Sequence, residues 1–128
     1  MFKFEKLIFG DLGWGDEFLF ATLMTITVSI LSMGLGLCLA IITVWAKLIT
    51  NKITRLIANF YTTVVRGVPE LLVIYLIFFG GNSVVMSIAK LFGYNGYIEL
   101  NALTIGTIAI AFISATYSSE VLRAAYLA

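Results

Sequence analysis

Histidine is missing from this chain of 128 residues, cysteine and proline occur once each (Cys38 and Pro69), and only 12% of the residues are charged. Without histidine there is no imidazole to hold a metal and no Ser-His-Asp arrangement, and a lone cysteine closes no internal disulfide. No catalytic residue and no metal site is assigned. One proline leaves no Pro-rich linker. Eight Lys plus Arg stand against seven Asp plus Glu, a net charge of +1, so no polybasic surface exists for nucleic acid. What the chain has in excess is apolar: 61% of its residues are hydrophobic, where a soluble domain has about 45–50% with about 25% charged. A water-soluble globule of this size would leave much of that surface wet, which the hydrophobic effect opposes. The composition excludes a soluble enzyme and points to an all-α integral membrane protein.

The gaps between charges locate the membrane segments. Phe18 to Ala46 is 29 residues without a charge, longer than the roughly 20 that cross about 30 Å of hydrocarbon. It is also much longer than the roughly 7–15 residues of a signal-peptide core. A lone apolar span must be helical, because lipid offers the backbone no hydrogen bonds. Leu71 to Ala89 and Asn101 to Ser119 are uncharged for 19 residues each. Three transmembrane helices are expected, over about 19–46, 57–79 and 101–122. The second has two placements: it starts near Ile57, or it starts at Pro69 after an interfacial helix, because proline suits a first turn and breaks an interior. Gly80-Gly81 is expected to end it, leaving Ser83 to Leu91 as a short interfacial helix between the second and third spans. The first connection holds Lys47, Lys52, Arg55 and Arg66, the second only Lys90, and the N-terminal tail sets Lys3 and Lys6 among four acids. Cationic loops stay inside, which puts the N-terminus outside and the C-terminus in the cytoplasm.

Within the spans, Ser32, Gly36 and Ala40 recur every four residues, and so do Thr107, Ala111, Ala115 and Ser119. Such small-residue stripes let helix backbones approach closely. Helix packing is the first reading of both, and Cys38 reads as a further small packing residue. The hydroxyl-rich third helix also offers a lining for a substrate path. Three helices do not easily enclose a path and satisfy two packing stripes, so the chain is expected to pack against helices outside itself. Two charge clusters remain. Arg66 and Glu70 flank Gly67-Val68-Pro69, and Glu120 and Arg123 share one helix face. Both mark span ends, and ionisable groups near a membrane face are costly enough to signal function.

Three segments carry a family resemblance. Tyr61-Thr62-Thr63-Val64-Val65-Arg66-Gly67-Val68-Pro69-Glu70-Leu71-Leu72, followed by an apolar run to Phe79-Gly80, resembles the segment opening the second span of polar amino-acid ABC importer permeases. Its Arg-Gly-aliphatic-Pro-acid pattern is most similar to the branch serving histidine, lysine, arginine, ornithine and octopine, as is Phe9-Gly10-Asp11-Leu12-Gly13-Trp14-Gly15-Asp16-Glu17. Ala115-Thr116-Tyr117-Ser118-Ser119-Glu120-Val121-Leu122-Arg123-Ala124-Ala125 resembles the family's Ala-Tyr-x-x-Glu-x-x-Arg-Gly-Ala run, with Thr116 in the usual Ala place and Ala124 in the usual Gly place.

The resemblance implies a permease subunit of an ATP-driven importer in the bacterial cytoplasmic (inner) membrane. It implies an ATP-binding subunit that hydrolyses ATP, a second permease subunit and an extracytoplasmic solute-binding protein, with no cofactor in this chain. Arg66, Gly67, Pro69 and Glu70 would shape the cytoplasmic end of the second span, while Tyr117, Glu120 and Arg123 would orient the helix leading to a cytoplasmic coupling loop. Family members carry that loop beyond the third segment, so the chain is expected to be the N-terminal half of a permease. The alternative is a small non-transporting membrane protein that assists assembly or regulation. Substrate-binding residues are not assigned.

Overall fold

A computed structural model describes residues 4–11 and 13–128, apart from the side chains of Glu5 and Leu7. Lys3, counted among the tail charges, and Leu12 of the N-terminal segment lie outside the described residues. A short 3-10 turn at Phe4–Leu7 precedes four helices: α1 Gly15–Leu48, α2 Lys52–Gly67, α3 Glu70–Leu91 and α4 Ala102–Leu127. Three of them, α1, α3 and α4, are long and apolar enough to cross a membrane. α1 has 34 residues, about 50 Å at 1.5 Å per residue, and overruns a hydrocarbon core of about 30 Å. Its ends carry the charges that complement the helix dipole, Asp16 and Glu17 in the first turn and Lys47 in the last.

The stretch 57–79 is not one helix but two that part at Pro69, where the second of the two placements starts the span. Val68 is extended (φ −100°, ψ 143°), the conformation that a following proline imposes on its neighbour. Pro69 brings no N–H to the ladder, yet its carbonyl accepts from the amides of Leu72 (2.9 Å) and Val73 (3.2 Å), so it starts α3 as it ends α2. The short interfacial helix expected at 83–91 is also absent as a separate element, because α3 runs unbroken through Gly80-Gly81 to Leu91. Glycine lowers helix propensity by about 1 kcal/mol, but among lipid tails a broken ladder would cost more than that. α3 stops at Phe92, where Gly93 turns the chain with φ +85°. The returning strand of loop is pinned to α3 by its Leu100 amide, which donates to the Asn82 side chain (2.9 Å). α2 and α4 are both started by asparagines: Asn51 accepts from the Ile53 amide at 3.0 Å, and Asn101 from the Leu103 amide at 3.1 Å.

The closest packing joins the first helix to the last. Ser32, Gly36 and Ala40 of α1 and Thr107, Ala111 and Ala115 of α4 are all buried. A Cβ built on Gly36 would lie 3.2 Å from the Ala111 carbonyl oxygen and 3.3 Å from Ser114. Ser32 donates across the gap to the Thr107 carbonyl at 3.2 Å. The two stripes therefore face each other, each supplying the close partner of the other. Cys38 is exposed rather than packed. Three hydroxyls of α4 are taken up locally: Thr107, Thr116 and Ser119 are buried and donate to carbonyls of their own helix. A second contact, of Val65, Val73 and Ile113, joins α2, α3 and α4. Beside it Tyr61 donates to the Phe112 carbonyl at 2.6 Å, and its burial pushes the phenol up to about 12.

Gly36→Leu is expected to destabilise the chain by about 1–3 kcal/mol or more, since the added carbons meet backbone and cannot be absorbed by a rotamer change. Thermal unfolding in detergent measures it, and an unchanged midpoint removes the α1–α4 contact as the reason for Gly36.

Candidate functional site

The two charge clusters, Arg66 with Glu70 and Glu120 with Arg123, lie together where the ends of all four helices meet. Following α1 along its α4-facing side leads from Gly36 and Ala40 through Thr43 to Lys47, every one of them buried. The Lys47 side chain is 2% exposed, and its ammonium donates to Oε1 of Glu120 in a close ion pair. Glu120 is 30% exposed and has a second cation, Arg123, 3.9 Å from Oε2. The Arg66 charge also acts on it. A buried ammonium is tolerated only when a partner compensates its lost hydration, and Glu120 supplies that partner from the facing helix.

Beside this pair the junction between α2 and α3 rests on α4. The Arg66 guanidinium lies 5.9 Å from the ring centroid of Tyr117, a cation–π contact. Glu70, at the start of α3, stands on the Tyr117 hydroxyl, close enough for its carboxylate to act on it. Arg66 and Glu70, four apart in sequence, thus meet through a tyrosine on another helix. Pro69 sets the bend that presents them on the two sides of it, and Gly67, at the end of α2, is exposed with nothing near a Cβ built on it.

The structure brings five of the singled-out residues together: Arg66, Glu70, Tyr117, Glu120 and Arg123. Lys47 is the member that sequence reading missed, because it was counted as a loop cation. The spacing 36, 40, 43, 47 was the available signal, since it keeps one helix face as far as the lysine. The cluster can fix four helices against one another, but it holds no nucleophile with a positioned base. Among the described residues no group of three His, Cys, Asp or Glu side chains is arranged to hold a metal. The cleft of about 390 Å³ between α3 and α4 is lined by apolar side chains such as Leu76, Ile77, Val84 and Phe112. It offers no charged group to a zwitterion.

Known proteins resemble this chain over most of its length. The nopaline transport system permease protein NocQ of Agrobacterium fabrum is 46% identical over 123 residues, 95% of this chain and 52% of its own length. The histidine/lysine/arginine/ornithine transport system permease protein HisQ of Escherichia coli is 32% identical over 116 residues, 91% of this chain and 50% of its own. A crystal structure of an amino acid ABC transporter with histidines superposes with a TM-score of 0.66 at 28% identity, covering 83% of this chain and 44% of the other. The chain is thus similar over 91–95% of its length to permease proteins of amino-acid transport systems. No protein-family model matches it. It spans about half the length of the relatives it matches, 52% for NocQ and 50% for HisQ. With three helices of membrane-crossing length and apolarity, this chain is a multi-pass membrane protein.

The ion pair predicts an asymmetry. Glu120→Gln leaves a buried ammonium without its counter-charge and is expected to cost about 3–5 kcal/mol. Lys47→Met leaves Glu120 part-exposed beside Arg123 and is expected to cost about 1 kcal/mol. Equal unfolding midpoints for the two variants in detergent would contradict the burial of Lys47.

Proposed function

We propose that this chain is the membrane-embedded translocation part of an ATP-driven importer for polar amino acids, with basic ones preferred. The observation that carries the reading is the match over 95% of the chain to a permease named for nopaline transport. The octopine and histidine/lysine/arginine/ornithine permeases among its relatives support the preference for cationic substrates. The chain lies in the bacterial cytoplasmic membrane, with its N-terminus outside and its C-terminus in the cytoplasm. A second permease subunit completes the path, a separate ATP-binding subunit hydrolyses ATP, and an extracytoplasmic solute-binding protein delivers the substrate. No catalytic step falls to this chain.

Such a machine shifts populations between outward-open and inward-open states, through the differential affinity of its ligands for each. The residues of the charged cluster act in positioning. Arg66 and Glu70 hold the α2–α3 bend to Tyr117, and Lys47 holds Glu120, so the C-terminal end of α4 is fixed to three neighbours. That end leads toward the segment that couples a permease to its ATP-binding subunit. Ser32, Gly36, Ala40, Thr107, Ala111 and Ala115 keep α1 and α4 together as one body during the exchange.

Arg66→Ala in the permease assembled with its partners is expected to lower uptake of labelled arginine roughly fivefold or more, with membrane insertion intact. Uptake equal to that of the unaltered protein removes the positioning role from Arg66. Competition by arginine but not glutamine is the expected sign of the cationic preference, and equal competition by both overturns it. Reporters fused to the two termini are expected to respond on opposite sides of the membrane. Signals from one side only refute the proposed orientation.

A further inference from the structure

α2 is unlike the other helices: its residues divide into three faces. Ala58, Thr62 and Val65 are buried against the bundle. A second face is apolar yet outward: Ile53, Leu56, Ile57, Phe60 and Val64 recur at helical spacing, and Leu56 and Phe60 are each 69% exposed. The third face carries Lys52, Arg55, Asn59 and Thr63, all exposed. α2 contains no acidic residue, and neither Lys52 nor Arg55 has an ion-pair partner among the described residues. At 16 residues it is not a membrane span. A separated apolar face beside a cationic face is the pattern of a helix lying in the plane of a bilayer surface.

The neighbouring elements set its depth. α2 follows α1 after three residues, 49–51, and meets α3 at Pro69, so both of its ends are tied to helices of membrane-crossing length. Trp45, in the last turns of α1, is 68% exposed, and tryptophan prefers the level of the lipid headgroups. A cleft of about 280 Å³ between α1 and α2, lined by Ile42, Ala46, Ile57 and Tyr61 among others, gives an acyl chain room beside the apolar face.

We infer that α2 is a lipid-binding element: its Ile53–Leu56–Ile57–Phe60–Val64 face sits at the acyl boundary, and Lys52 and Arg55 meet the phosphates of anionic phospholipids. The occupant is the bilayer itself and not a protein helix, because the cations flank the apolar face on α2 and complement a negative headgroup layer. The inference rests on α1 and α3 crossing the membrane and is independent of any transported substrate, so its failure and that of the importer reading are separable.

Spin labels test it in the assembled permease, reconstituted in phosphatidylethanolamine–phosphatidylglycerol vesicles with Cys38 replaced by Ser. Labels placed singly at Leu56 and Phe60 are expected to collide readily with oxygen and poorly with a water-soluble nickel chelate. Labels at Asn59 and Thr63 are expected to do the reverse. Leu56 and Phe60 labels shielded from both reagents would mean that protein covers the face, and labels open to nickel throughout would mean that the helix stands in water. Either result overturns the inference. In Lys52→Gln/Arg55→Gln, the Leu56 label is expected to lie equally deep in vesicles with and without phosphatidylglycerol, whereas the parent lies deeper with it. A parent label indifferent to phosphatidylglycerol overturns the headgroup contact.

Discussion

Among lipid tails, one apolar helix gains nothing by hydrophobicity from touching another, so helices hold together by close contact and by polar bonds that have no alternative partner. The contact between α1 and α4 meets both conditions. Glycine and alanine bring the two backbones near, Ser32 bonds the Thr107 carbonyl, and Lys47 meets Glu120 at the far end of the same line. The first and last elements of the chain are thereby joined, and α2 and α3 are placed by what they find on α4. Without that line the Arg66–Tyr117–Glu70 contact has no fixed tyrosine to rest on.

Among the described residues, no buried side-chain nitrogen or oxygen is left without a bond. Threonine and serine along α1 donate to carbonyls one turn back, for example Thr22 to Phe18 at 2.7 Å and Ser29 to Thr25 at 2.7 Å. The same local bonding serves α4. Hydroxyl content in a membrane helix is therefore weak evidence for a water-filled path, since the helix's own backbone can absorb it.

Much of this was legible in the residues themselves. The four-residue stripes identify the faces of α1 and α4, because close backbone approach restricts residue size. What they do not reveal is that the partner of each stripe is the other, since a stripe records closeness and not identity. Pro69 signals a break by its missing donor, yet a range of 57–79 drawn by hydropathy runs straight across it. Gly80-Gly81 reads as a stop because glycine is a poor helix former, and lipid overrides that preference. Lys47 was hidden by its charge, which counts as a loop marker unless the helix face is followed to its end. The meeting of Arg66 and Glu70 through Tyr117 spans a sequence distance that no local pattern records.

The bend at Val68–Pro69 has a mechanical consequence. A continuous helix transmits torque along its axis through its ladder, whereas here the ladder is interrupted between α2 and α3. Force arriving on α2 turns α3 through side chains, by way of the Val65–Val73–Ile113 contact and the tyrosine on α4. The elbow thus makes packed side chains, rather than a length of backbone ladder, the linkage between the two rods.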